Sequence, residues 1–316
     1  MNYKYALTLL GLVSSLVMAQ DYPHKPIRIV VPYPPGGVSD VATRLVAPKM
    51  SEILGQPIII ENQPAAGGVV ATNALARSAP DGYNLGVVFD SFATNPFLYK
   101  GVTHDTLKDF APISLMVRSP QLLVVHPSKG IKNMQDLLAQ GKEKNKVFFS
   151  APGAGTSSRL SAELLKSKGN IDITLVYYRG GAAALNDLLG GQVTGMIASM
   201  ALVFPHVQSG KLLAIGVSSP NRSPKINNVP PIADTLPGFE AQSWTGMIAP
   251  AGTPKPIIDK VHAALLKALA SPELREKLAS QGVEVVGGTQ TEFADWLALE
   301  SQRWGKVIKD RNITIE

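Results

Sequence analysis

The sequence predicts an α/β protein of two domains joined by a hinge, and three observations carry that reading. The length of 316 residues exceeds one average domain, although length alone leaves a single large barrel open. Short β-branched or apolar runs alternate with helix-spaced apolar positions in two successive series of about a hundred residues each, by the pattern rules for α/β units. Between several strands and the helices that follow lie glycine-rich loops, where such folds place their ligands.

The first series opens with residues 27–31, Ile-Arg-Ile-Val-Val, a β-branched run stopped by Pro32 and read as a buried strand. Residues 39–54 carry Val41, Leu45, Val46 and Ile53 at helical spacing, with Ser39 or Asp40 available as the N-cap. A strand over 57–61 follows, then a helix over 69–77 opened by Gly67-Gly68, then a strand over 84–89 after the turn Pro80-Asp81-Gly82. Such βαβαβ order implies a parallel sheet with right-handed crossovers.

The second series begins after Val125-His126-Pro127. Strands are expected over 147–150, 173–177, 193–198 and 212–217, and helices over 156–167, 182–189 and 202–208. A loop rich in Pro and Asn occupies 218–237. The remainder is helical: residues 254–270 place Ile257, Ile258, Val261, Leu265 and Leu269 on one stripe, and Leu274, Leu278, Phe293, Trp296, Leu297 and Trp304 continue it. With little sheet of their own, these helices are expected to pack back on the first unit. The organisation is then a leader over 1–19, a discontinuous first α/β domain over 20–122 and 240–316, and a second α/β domain over 123–239. A chain that crosses twice makes a hinge above a cleft.

The leader reads as a secretory signal peptide. Lys4 gives a positive start, an apolar run extends to Val17, and Val17-Met18-Ala19 sets up cleavage after Ala19. The run is too short for a membrane span, which needs about 20 residues. The mature chain is expected in the periplasm, where the absence of Cys avoids unwanted oxidation.

Composition excludes several chemistries. Without Cys there is no disulfide framework, zinc thiolate cluster, thiol nucleophile or cysteine-ligated iron–sulfur centre. The net charge of +6 is modest; it suits a small anionic ligand and does not call for nucleic acid. Neither a Gly-x-Ser-x-Gly elbow, a His-Glu-x-x-His pair nor a Walker lysine motif occurs. The five histidines are scattered, and neither His262 beside Asp259 nor the Asp105/Asp109 pair makes a metal or acid/base constellation. No metal, cofactor or catalytic residue is therefore expected.

Four loops supply binding chemistry instead. Pro32-Tyr33-Pro34-Pro35-Gly36-Gly37-Val38-Ser39-Asp40 and Ala65-Ala66-Gly67-Gly68 can turn backbone N–H groups toward an anion at a helix start. The loop from Ser150 through Gly153, Gly155, Thr156, Ser157 and Ser158 to Arg159 adds hydroxyls and a guanidinium, suited to a carboxylate or phosphate. It is not a dinucleotide fingerprint, because the third glycine and the acidic ribose residue are missing. Tyr177-Tyr178-Arg179-Gly180-Gly181 is the fourth. Each of these loops also reads as a plain turn or cap when taken alone.

The same loops carry a resemblance. Pro32-Tyr33-Pro34-Pro35-Gly36-Gly37-x-x-Asp40, Glu61-Asn62-Gln63-Pro64-Ala65-Ala66-Gly67-Gly68, Pro80-Asp81-Gly82-Tyr83, Asn95-Pro96-x-Leu98-Tyr99, Leu188-Leu189-Gly190-Gly191-Gln192-Val193 and Ala249-Pro250-Ala251-Gly252-Thr253-Pro254 resemble the Bug receptors, the extracytoplasmic solute-binding proteins of the tripartite tricarboxylate transporter family. The match runs in order along the mature chain. It implies a type II periplasmic-binding-protein fold, a venus-flytrap of two domains closing on a carboxylated solute. The loop over Pro32 to Asp40 is expected to hold one carboxylate through waters and backbone groups, and the loop over Gly153 to Arg159 another through amides and hydroxyls. The sequence departs from the pattern where Arg159 replaces a common histidine and Thr194 a usual acid, changes that would make the cleft more cationic, and Asp90 stands in a loop more often neutral.

The expected binding set is Tyr33, Pro34, Gly36, Gly37, Ser39, Asp40, Gly68, Asp90, Phe92, Ser150, Gly153, Gly155, Thr156, Ser157, Arg159, Tyr178, Arg179, Gly180 and Ser199, with Tyr33, Phe92 and Tyr178 as walls. The expected function is a monomeric receptor for a small mono- or dicarboxylate, aromatic ones included, that serves an integral membrane permease of the tripartite tricarboxylate type. A plain carboxylate suits it better than an amino acid. The alternatives are a sensor feeding the periplasmic part of a two-component sensor kinase, or a secreted α/β hydrolase.

Overall fold

The computed structural model describes residues 22–36, 38–151, 156–178 and 180–315. The expected leader over 1–19, and Gly37, Gly153, Gly155 and Arg179 of the expected binding set, lie outside those residues. The first half of the chain runs β1 (Ile27–Val31), α1 (Val38–Leu54), β2 (Ile58–Asn62), α2 (Val69–Ala76), β3 (Asn84–Phe89), α3 (Ser91–Leu98) and β4 (Phe110–Val125). It continues as α4 (Met134–Gln140), β5 (Phe148–Ala151), α5 (Ser157–Gly169), β6 (Thr174–Tyr177), α6 (Gly181–Leu189), β7 (Gly195–Ser199), α7 (Met200–Gln208) and β8 (Leu213–Val217). The last part is β9 (Gln242–Pro250), α8 (Lys255–Leu269), α9 (Pro272–Ser280), β10 (Glu284–Val285) and α10 (Gln290–Asp310).

The β-branched runs do form parallel strands: β1 pairs with β2 and with β3, and β5 pairs with β6 and with β7. The all-parallel expectation is corrected by β4 and β9. Both enter antiparallel, β9 against β3 and β4, and β4 in turn against β7 and β8. The residues of β4 explain why it escapes the pattern. Pro112, Arg118, Ser119 and Pro120 break its alternation, and its register against β9 shifts at Pro112/Ser114 and Leu115/Val117, where a bulge absorbs the mismatch.

Strand β4 serves two sheets in succession. Up to Pro120, opposite Gln242, it pairs with β9; from Gln121, opposite Ser199, it pairs with β7. The strand thus leaves one α/β sheet and enters the other without interruption, and β9 returns alongside it. Separate apolar clusters fill the units, one around Ile29, Val46, Leu85, Met247 and Leu265, another around Leu123, Phe149, Leu165 and Ile215.

Helices α8 and α9 pack on the first unit, where Ile258, Val261 and Leu265 of α8 join the core beside Val46 and Met50 of α1. Helix α10 departs from the expectation that all C-terminal helices do so. Its start is fixed by a capping box, Thr289 with Glu292. Its first half buries Phe293, Trp296 and Leu297 beside Phe92 and Trp244, and its second half buries Trp304 and Ile308 in the core of the second unit. At about 1.5 Å per residue a 21-residue helix is about 30 Å long, enough to lie across both.

Candidate functional site

Between the two units lies a cleft of about 810 Å³. The βα order dictates what faces it, because every parallel strand delivers the following helix start to the same edge of its sheet. Gly36 and Val38 open α1, Asp90 and Ser91 open α3, and Thr156, Ser157 and Ser158 open α5; Gly181 opens α6, and Ser199 and Ala201 open α7. Five helix N-termini therefore converge on one space. Helix starts present N–H groups and the positive end of the dipole, so the space attracts an anion although no Lys or Arg lines it among the described residues.

The first loop is held from behind. Asp40 Oδ2 accepts from the Gly36 N–H at 2.9 Å, Arg44 Nε donates to both carboxylate oxygens, and Asn62 Nδ2 donates to Oδ1 at 2.9 Å. Burial pushes the Asp40 carboxyl up, but these donors outweigh it and leave the carboxyl below its ordinary value. Asn62 Nδ2 also donates to the Tyr33 carbonyl at 3.1 Å, which sets the Tyr33 ring at the cleft wall, with its hydroxyl 2.7 Å from Ser91 Oγ. Gly67, at φ 63°, faces the cleft where a Cβ would meet the Tyr99 hydroxyl at 2.8 Å, so glycine is required there. Its carbonyl accepts from Asn95 Nδ2 at 3.0 Å, tying the second loop to α3.

On the opposite wall Thr156 caps α5 by accepting from the Arg159 N–H, and Ser157 follows it. The floor is the pair of linking strands. Gln121 of β4 and Ser243 of β9 both face the cleft. Gln121 Nε2 donates to Ser157 Oγ at 3.0 Å, and its Oε1 accepts from Ser161 Oγ. Asp90 sits at the end of β3, where Phe89 is opposite Thr245, so its side chain comes down near Ser243. Burial pushes its carboxyl up to about 7; the Ser243 and Ser157 hydroxyls and the Ser91 N–H pull the other way, and the buried Glu300 carboxyl adds to the rise.

Of the residues singled out in the sequence, Tyr33, Gly36, Asp90, Thr156, Ser157 and Ser199 are brought together around the cleft. Pro34 is exposed beside Tyr33, and Gly68, at φ 94°, packs behind Tyr33 against Pro32. Gly180 is the N-cap of α6, one residue before Gly181. Ser39 is buried with its hydroxyl 3.3 Å from that of Thr245, and Ser150 is buried at the end of β5. Phe92 lies in the core, stacked on His104 and edge-on to Phe110, because α3 turns it away from the cleft. The Tyr178 hydroxyl donates to Asp187 at 2.7 Å. Arg159 is 9% exposed and directs Nη1 to the Thr314 carbonyl, with its guanidinium over the Tyr177 ring. Thr194 accepts from the Phe148 N–H inside the second unit.

Gln121, Ser243, Ser91, Tyr99 and Ile315 were not marked by sequence reasoning, yet all line the cleft. Tyr99 carried a signal, since it ends the Asn95-Pro96 motif. Gln121 and Ser243 carried none, because their strands show no clean alternation.

A model of the family described as "Tripartite tricarboxylate transporter family receptor", TctC, matches residues 42–313. The chain belongs to this family. BugT of Bordetella pertussis is 34% identical to it over 320 residues, spanning 98% of each chain. Among solved structures, an R. palustris protein with adipate superposes with a TM-score of 0.80 at 30% identity, over 93% of this chain and 100% of that one. MatC from Rhodopseudomonas palustris with bound malate superposes with a TM-score of 0.76 at 32% identity, over 91% and 100%. As a TctC receptor the chain has the two-domain type II fold of the family's periplasmic binding proteins. Among the described residues no helix is long and apolar enough to cross a membrane, and no cluster of His, Asp and Glu could hold a metal ion.

Proposed function

We propose that this TctC receptor captures a small mono- or dicarboxylate between its two units and delivers it to an integral membrane permease of the tripartite tricarboxylate type. The observation that carries the reading is the convergence of five helix N-termini and the hydroxyls of Ser91, Thr156, Ser157, Ser199 and Ser243 on one cleft, whose described lining includes no Lys or Arg. Oriented N–H and O–H donors compensate a carboxylate while leaving it free to depart. Tyr33, Phe89, Tyr99 and Leu202 supply apolar wall for the carbon chain. The adipate and malate in the related receptors belong to the same ligand class.

The units that close are residues 20–122 with 240–316 up to the middle of α10, and 123–239 with the end of α10, rotating about the paired stretches of β4 and β9. Tyr33, Gly36, Asp90, Thr156, Ser157 and Ser199 are the sequence-marked residues that meet the solute, joined by Gln121 and Ser243. The chain carries out no covalent chemistry, and it is exported to the periplasm with cleavage after Ala19. Thermal unfolding across succinate, malate, adipate, benzoate and the uncharged adipamide tests the reading. A ligand of the folded state raises the midpoint through mass action. At least one carboxylate should do so and adipamide should not; a panel without any shift removes the carboxylate reading.

A further inference from the structure

Asp90 is the one acidic or basic side chain among the described residues lining the cleft, and its placement is unusual for its position in the chain. An Asp at a helix start ordinarily accepts from the first turn's N–H groups. Here the backbone of Asp90 is already helical, at φ −50° and ψ −34°, and its side chain does not cap the first turn of α3, reaching only the adjacent Ser91 N–H. The carboxyl is turned instead into the floor of the site, 5% exposed, and Oδ2 is buried without a hydrogen bond. Beyond it a cavity of about 10 Å³, bounded by Thr94, Ser161, Gln242 and Trp304, has room for about one water.

Among the described residues, hydroxyl and amide donors face the carboxyl but no cationic side chain pairs with it. Hydroxyls approach from α5 (Ser157) and β9 (Ser243), and β4 presents the Gln121 amide. Glu300 faces Asp90 from α10 and is itself an acid, bonded to Arg303, which also pairs with Glu240. Tyr33 faces it from the loop before α1, and Arg118 of β4 lies over the Trp296 ring. Burying a carboxylate without an ion-pair partner is strongly unfavourable and shifts it toward the neutral form. Once an anionic solute is bound, its repulsion adds to that cost, whereas a neutral carboxyl supplies one more O–H donor to the same anion.

We propose that Asp90 binds the solute in its neutral form, donating a hydrogen bond to a carboxylate oxygen, so that capture from alkaline solution takes up as much as one proton from solvent. This rests on the carboxylate reading above. The ligand retains its charge and Asp90 holds the proton, which returns to solvent when the solute leaves. Capture then favours plain carboxylates over solutes that would place an ammonium group at this point.

Calorimetric titration of the mature protein with adipate and with malate, from pH 5.5 to 8.5 in two buffers of different ionisation enthalpy, tests the proposal. Those ligands stay ionised at pH 6 and above. Affinity should be level near pH 6 and fall about thirtyfold by pH 8.5, as the neutral fraction falls for a group titrating near 7, and the buffer dependence of the heat should show proton uptake above pH 7. Asp90→Asn keeps a donor but cannot ionise, so its affinity should not vary with pH and should exceed the wild type at least tenfold at pH 8.5. A pH-independent wild-type affinity without proton uptake overturns the proposal while the carboxylate reading stands. Affinity that rises with pH, or an Asp90→Asn profile identical to the wild type, also overturns it. If neither ligand nor any other carboxylate of the panel binds at any pH, the carboxylate reading itself falls and takes the proposal with it.

Discussion

The indole Nε1 of Trp244 donates to Glu300 Oε2 at 2.9 Å, joining the linking strand β9 near its start to the helix that lies across both units. Trp304 Nε1 donates to the same oxygen at 3.1 Å, and Arg303 pairs with the other. Burial pushes the Glu300 carboxyl up against these donors. Glu300→Ala removes the acceptor from two buried indoles and the partner from Arg303. It should cost about 3 kcal/mol of stability, a cost typical of breaking a buried pair from one side, with Glu300→Gln losing less than half as much. Urea unfolding midpoints check both.

Asp40 behaves in the opposite electrostatic sense. Its folded value is depressed, so its contribution is present above the ordinary aspartate range and is lost as pH falls through the folded value. Asp40→Asn should cost about 1–2 kcal/mol at pH 7, discounted because Arg44 is half exposed. The gap between the two proteins should close as pH falls below about 4. Melting temperatures of both from pH 7 to 3 give the comparison.

Asp90 should make the ligand-free protein less stable as pH rises. Its folded value is raised, so its stabilising contribution is complete below the ordinary aspartate value and is lost as pH climbs through about 7. Asp90→Asn should match the wild type below about pH 4, pull ahead from there upward, and melt at least about 3 °C higher at pH 8. A wild-type advantage at pH 8 would contradict the unpaired burial described for this carboxyl.

Ser157 and Ser243 face each other across the floor, with their hydroxyls 3.5 Å apart. Replacing both by Ala should weaken carboxylate binding about tenfold, the loss expected from removing hydroxyl donors to a charged group, with little change in the melting temperature of the free protein. Unchanged calorimetric affinity would remove the floor from the binding set.

Much of the fold is legible in local pattern. The run Ile27 to Val31 and the stripe Ile258, Val261 and Leu265 announce a strand and a helix because each buries one face or both. The candidate site is legible only where a loop punctuates the pattern, as at Tyr33, Gly36 and Thr156. Gln121 and Ser243 are silent because Pro112 and Pro120 disrupt the period of β4, and because a polar residue on a linking strand resembles a break in a core strand. Phe92 reads as a wall residue until the turn of α3 carries it into the core beside Phe110.

By itself the sequence determined the α/β alternation, the glycine-rich helix starts and the family, since all of these depend on residues near one another in the chain. The tertiary structure decided which loops share a space, that β4 passes from one sheet to the other at Pro120 and Gln121, and that α10 lies across both units. It also left the Asp90 carboxyl with no ion-pair partner among the described residues. Those outcomes depend on burial and on partners more than a hundred residues away, such as Ser243 and Glu300, which local periodicity cannot encode.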